Sequence, residues 1–134
     1  MDIINPLNLE STIKRFPDLN FDLLHCGYPF LAETVVLAKS YSNVYININP
    51  MLKRSYDQTK EWFELYLNIT SQNHIMFGMD TFTPETMCGS AYFTKRLVGE
   101  VMRDKVRRGL ISEAHPITPN EPPQSPDRFY TAVY

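Results

Sequence analysis

His25, Asp80 and the pair Asn47 and Asn49 each lie at or just after the end of a short apolar run. A neutral imidazole and a carboxylate are the ligand types that zinc and other divalent transition metals prefer, and a carboxylate near a metal-bound water can accept its proton. The two amides suit hydrogen bonds to the polar groups of a substrate. If these run ends meet in the fold, we expect one metal site with a water nucleophile.

Alternating helices and strands are needed to position these side chains. Apolar residues recur at helical spacing in segments 7–16, 30–41, 58–70 and 90–107, and strand-like runs cover 21–25, 44–49 and 75–77, with a loop over 81–89. Strands that alternate with helices of this length predict parallel β/α units with right-handed crossovers. Because ligands bind at the carboxyl ends of parallel strands, we expect the polar run ends to share one edge of the sheet.

A structural role is the alternative for each of these residues. A histidine at a strand end is more often hydrogen-bonded within the fold than bound to a ligand. Turn formation explains Asn47 and Asn49 as well as substrate binding does. Tyr28 and Phe82 follow two of the strand ends, where they either wall a pocket or, as we favour, pack in the core.

Composition restricts the class of partner. The chain has 134 residues, with 13 basic against 15 acidic side chains and a formal net charge of −2. This balance argues against a nucleic-acid binder or an anionic-membrane binder, and no apolar run is long enough to span a membrane. The start of the chain lacks the features of a signal peptide, so we expect a cytoplasmic protein. Cys26 and Cys88 lack a paired metal-binding spacing and are expected to be reduced.

Two stretches carry a resemblance to a known family. The first runs from His25 to Phe30 as H-C-G-Y-P-F and continues through Glu33 to N-V-Y at 43–45, and the second is D-T-F-T-P-E at 80–85. Together they resemble the amidohydrolase-related family of metal-dependent hydrolases. Within it, the chain is most similar to the amidohydrolase-like domain found fused to glutamine synthetase. The resemblance covers roughly residues 5–114.

The resemblance implies the last three β/α units of a (β/α)8 TIM-type barrel, preceded by a helix and built on parallel strands. It makes Asp80 a metal ligand and the base that takes a proton from water, and His25 a second ligand or a hydrogen-bond partner of the water or substrate. The implied cofactor is a divalent metal, zinc or manganese. Asn47, Asn49 and Tyr28 are the candidate substrate-binding residues.

We therefore divide the chain into a C-terminal barrel portion, residues 1–114, and a proline-rich extended tail, residues 115–134. Five of the ten prolines lie between His115 and Pro126, which excludes a helix there.

A complete barrel needs roughly 250 residues, and the first-strand His-x-His pair and middle-strand ligands of the family are not among these 134 residues. We expect a hydrolase portion that acts on a C–N or related bond of a small molecule and is inactive alone. Decarboxylase and lactonase chemistry are also open. An incomplete barrel exposes two sheet edges and an apolar inner face, so we expect self-association or a partner that carries the missing half. The alternative is a non-catalytic half-barrel that serves as an interaction or regulatory module.

Overall fold

The computed structural model describes residues 4–49, 54–111 and, for the backbone, 129–132. A 3-10 turn lies at Pro6–Leu9 and another at Gln72–His74, and the segment Leu24–Gly27 forms a tight turn with left-handed residues. The helices and strands follow in this order: α1 (Glu10–Arg15), β1 (Asn20–Leu23), α2 (Leu31–Ser40), β2 (Val44–Asn47), α3 (Tyr56–Ile69), β3 (Ile75–Met76), α4 (Pro84–Arg107) and β4 (Phe129–Ala132).

The four strands form one parallel sheet in the order β3-β2-β1-β4. The three strands β1 to β3 alternate with helices as the sequence predicts, so the prediction of parallel β/α units is confirmed. The described residues form a small α/β unit and not a complete barrel. None of the helices in the described ranges combines the length and the apolarity needed to cross a membrane.

Helix α4 begins six residues earlier than predicted. The Thr83 side chain caps it by accepting a hydrogen bond from the Thr86 amide at 3.3 Å. Pro84 then occupies the first turn, where its missing N–H costs nothing, and Glu85 complements the positive end of the helix. The predicted loop over 81–89 is therefore wrong beyond Thr83, because these capping residues start the helix before its apolar stripe begins.

Helices cover one face of the sheet. The register pairs Phe21 with Val44 and Leu23 with Ile46, and these residues are buried against the helices. The helices contribute buried side chains to the same core: Val35, Leu37, Ala38, Phe63, Tyr66, Leu97 and Val101. Burial of these side chains stabilises the unit by about 1.5 to 3 kcal/mol for each large one.

The opposite face of β1 and β2 carries mainly polar side chains. Asp22 pairs with Tyr45 in the register, and Asn47 follows on the same face because side chains alternate along a strand. His74 stacks on Tyr45 with ring centroids 5.4 Å apart. The expected apolar inner face is therefore wrong for this part of the sheet, since alternation places the apolar residues of both strands under the helices.

The tail contributes a strand that the sequence does not predict. Strand β4 lies parallel to β1, with Asn20 opposite Phe129 and Leu23 opposite Ala132. It covers one of the two sheet edges that we expect to be open. The predicted tail otherwise falls on residues 115–128 and 133–134, which lie outside the described residues.

Candidate functional site

His25 lies in a left-handed turn directly after β1, not at the tip of the strand. Its φ is 59°, that of Cys26 is 59° and that of Gly27 is 69°. A left-handed conformation costs a residue with a side chain roughly 1 to 2 kcal/mol. Such strain persists only where the surrounding structure enforces it, and it is concentrated at functional sites. Here the turn places the imidazole at the carboxyl edge of the sheet.

A hydrogen bond fixes the orientation of the His25 ring. Its Nδ1 atom lies 2.5 Å from the carbonyl oxygen of Asn49. A carbonyl oxygen only accepts, so Nδ1 carries the proton, and in the neutral ring Nε2 then keeps its lone pair. Histidines that bind metals in proteins almost always donate their second ring N–H to a carbonyl or carboxylate in this way. The predicted residues His25 and Asn49 are therefore brought together, with the backbone of Asn49 making the contact.

Asn47 and Asn49 lie beside Gly78 at the same edge. A Cβ atom at Gly78 would come within 2.9 Å of the Asn49 amide nitrogen and 3.0 Å of the Asn47 amide oxygen. The absence of a side chain at Gly78 lets the segment that follows β3 pass this close to both amides without displacing them. The Asn47 amide nitrogen donates to Oδ2 of Asp22 at 2.9 Å. Asn47 is thus held by a structural contact that the sequence does not predict.

Asp22 is a functional candidate that the sequence analysis missed. It is 9% exposed, and its Oδ1 has no hydrogen-bond partner among the described residues. Burial raises the pKa of this carboxyl because it disfavours the charged form, and the hydrogen bond from Asn47 partly offsets the shift. The available signal was an acidic residue inside the apolar run 21–24.

Asp80 lies four residues beyond the end of β3, in the loop that leads to the Thr83 cap of α4. Its side chain is exposed and its φ is 38°. Asp80 therefore follows the carboxyl end of β3 through a loop and does not project directly from the strand.

Tyr28 borders a shallow cleft at the same edge of the molecule. Its ring lies 5.9 Å from that of Trp62, and Arg54, Ser55 and Gln58 complete a cleft of about 110 Å³. Tyr28 is 53% exposed and Phe82 is 99% exposed. The expectation that both pack in the core is wrong, because each lies in a loop outside the helix layer.

Within the described residues, no three histidine, cysteine, aspartate or glutamate side chains lie close enough to hold a metal ion together. His25 and Asp80 therefore supply at most two ligands from this part of the chain. Cys26 adds none: it is fully buried, and burial raises the pKa of its thiol to about 12. The arrangement offers an oriented imidazole and a carboxylate at the edge where parallel sheets bind ligands.

Comparison with known proteins assigns the family. A family model described as amidohydrolase matches residues 1–113. The chain belongs to the amidohydrolase family. Protein fluG of Emericella nidulans (strain FGSC A4) is 31% identical over 109 residues, a match that covers 78% of this chain and 12% of fluG. This amidohydrolase chain thus spans about an eighth of the length of its relative. No solved structure matches it.

Proposed function

We propose that this amidohydrolase chain forms part of the carboxyl edge of a hydrolase barrel, where His25 and Asp80 serve a divalent metal site. The observation that carries the proposal is the bond from His25 Nδ1 to the Asn49 carbonyl at 2.5 Å. It leaves the Nε2 lone pair available to a cation, which is the donor chemistry that zinc and manganese accept. The family membership supports divalent-metal chemistry.

The proposed reaction assigns roles to Asp80, His25 and the substrate-binding residues. A divalent cation bound at this edge would supply water activation at neutral pH. The Asp80 carboxylate would accept the proton of the attacking water, and His25 would hold the cation or hydrogen-bond the water through Nε2. The strained turn and the Asn49 carbonyl keep the imidazole in position, so little reorientation is needed during the reaction. Asn47, Asn49 and Tyr28 are proposed to contact a small-molecule substrate at a C–N or related bond.

The other ligands come, in this proposal, from sequence outside these 134 residues. Two protein ligands hold zinc poorly, since metal sites in proteins normally use three or four. The chain alone is therefore proposed to bind metal weakly and to turn over no substrate. A second copy or a partner with the remaining strands completes the barrel.

Metal binding by the purified chain tests the proposal. We expect equilibrium dialysis against zinc or manganese to show one weak site, and we expect His25→Ala and Asp80→Asn each to lower the affinity about tenfold or more. His74→Ala is the matched control, because the His74 Nδ1 also bonds to a carbonyl, that of Val44 at 2.7 Å, but next to the amino end of β3. Equal losses in all three variants would contradict the proposal.

A non-catalytic interaction module is the second candidate. The lack of a three-ligand cluster in the described ranges favours it. The same dialysis separates the two functions: a chain that binds no metal, yet stays folded and monodisperse, supports the interaction module.

A further inference from the structure

The outer edge of β1 is occupied by a strand from the far end of the chain. Strands β3 and β4 lie at opposite edges of the sheet, so β4 does not pair with β3, the strand before it in the sequence. It runs parallel to β1 instead, in the direction that all strands of a (β/α)8 barrel share. In such a barrel, β1 has a parallel neighbour on each side. Strand β4 takes the position that the preceding barrel strand needs.

The ladder identifies which backbone groups β4 covers. The Phe21 amide donates to the Asn43 carbonyl at 2.7 Å, so Phe21 faces β2. Adjacent residues of a strand between two parallel neighbours bond to opposite sides, which directs the N–H and C=O of Asp22 toward β4. The pairing of Asp22 with Thr131 then implies two bonds, from the Asp22 amide to the Tyr130 carbonyl and from the Ala132 amide to the Asp22 carbonyl.

These bonds matter because Asp22 is buried. A buried backbone N–H or C=O without a partner is costly, and an uncovered edge invites pairing with another chain. The segment that covers it is rich in aromatic and β-branched residues, which suit a strand. Within the described residues, its pairing extends over the four residues 129–132. Such a short edge strand opens at much lower free energy than the core of the sheet.

We propose that Phe129–Ala132 is a displaceable edge cap, which occupies the outer edge of β1 until another parallel strand replaces it. The incoming strand is the barrel strand that precedes β1, so this identification of the competitor rests on the proposed function. The assignment of the cap itself depends only on the pairing of β4 with β1. The cap would keep the chain from associating with other chains until the remaining barrel strands are present.

Two proline variants of the full chain test the cap. In Ala132→Pro the donor to Asp22 is lost, whereas in Thr131→Pro the lost amide points away from β1, where proline is tolerated. We expect NMR-detected amide exchange at Asp22 to rise about tenfold or more in Ala132→Pro and to change little in Thr131→Pro. Phe21 is the internal control, because its amide bonds to the other side of β1.

A peptide of residues 127–134 then tests displacement. At about 1 mM, which is comparable to the effective concentration of a tethered segment, the peptide is expected to bind Ala132→Pro saturably and to restore the Asp22 protection. The parent chain and Thr131→Pro are expected to bind it more weakly, since their own cap competes.

Four outcomes overturn the proposal. Unchanged Asp22 exchange in Ala132→Pro means that no cap is bound there, and equal increases in both variants mean that the effect does not pass through this bond. A matching rise at Phe21 means that the segment is an integral part of the sheet. Increased exchange without peptide binding means that the edge accepts no replacement strand. None of these measurements involves metal or turnover, so they test the edge cap independently of the proposed function.

Discussion

The Nδ1 atom of His25 lies 2.5 Å from the carbonyl oxygen of Asn49, and this bond joins the loops that follow β1 and β2. The contact spans 24 residues of sequence and fixes a side chain whose own backbone is strained. The cost of the left-handed turn is met by packing and hydrogen bonds in the surrounding fold. The imidazole is thus positioned by contacts within the fold itself.

The tautomer of His25 follows from this bond. We expect ¹⁵N NMR of the neutral rings to show Nδ1 protonated and Nε2 unprotonated in both His25 and His74, because each Nδ1 faces a carbonyl oxygen. Added zinc is expected to shift the Nε2 signal of His25 but not that of His74. Assignment uses His25→Gln and His74→Gln. A protonated Nε2 in His25 would rule out its proposed role as a ligand.

Asp22 makes the stability of the fold depend on pH. Burial raises the pKa of this carboxyl in the folded state above its unfolded value. The folded state therefore holds the Asp22 proton more tightly than the unfolded state does. The protonated carboxyl contributes its full stabilisation at a pH below its pKa in the unfolded chain, and this stabilisation is lost as the pH rises through its pKa in the folded state.

Between about pH 4 and neutrality, we expect the free energy of unfolding to fall less with rising pH in Asp22→Asn than in the parent chain. The difference between parent and variant is the relevant quantity, since Glu10 and Glu100 have lowered pKa values and act in the opposite direction. Urea unfolding at several pH values measures it. Parallel pH curves for the two proteins would contradict the assignment to Asp22.

Tyr66 supports the His25 turn from the core. Its buried hydroxyl donates to the Cys26 carbonyl at 2.7 Å. We expect Tyr66→Phe to lower the free energy of unfolding by about 1 to 2 kcal/mol, because a buried carbonyl loses its partner. Tyr41→Phe is the matched control, since the Tyr41 hydroxyl donates to Glu10 at the surface, and it is expected to cost about 0.5 kcal/mol. Equal losses in chemical denaturation would argue against a special role for the Cys26 carbonyl.

Local pattern was enough to predict the order of elements, because each helix shows an apolar stripe and each strand a short apolar run. It failed where a turn depends on tertiary contacts. The run from Phe21 reads as a strand through His25, yet the strand ends at Leu23 and a left-handed turn follows. The turn depends on Gly27, which lies against Thr34, and on the Asn49 carbonyl, neither of which a local pattern reveals.

The buried polar contacts were also beyond local pattern. Asp22 reads as one polar residue in an apolar run, and its partner Asn47 is 25 residues away. Strand β4 could not be predicted for the same reason: among the described residues it pairs with β1, more than 100 residues earlier in the chain. Polar pairs and edge strands depend on which strands become neighbours, which only the folded sheet decides.

Alanine variants at Gly27 and Gly109 distinguish the free-energy cost of a left-handed backbone from that of a close contact. Both glycines have a φ of 69°, but a Cβ at Gly27 would overlap the Thr34 hydroxyl, whereas no described atom beyond the adjoining residues lies within 4 Å of a Cβ at Gly109. We expect Gly109→Ala to cost about 1 kcal/mol and Gly27→Ala about 3 kcal/mol, since it adds overpacking to the backbone strain. Urea unfolding measures both free energies.

The larger loss of stability in Gly27→Ala is expected to be accompanied by loss of the His25 bond to Asn49, because residue 27 must shift and the turn must shift with it. Equal costs at the two positions would mean that Thr34 moves aside freely and that the turn is less tightly held than this geometry implies.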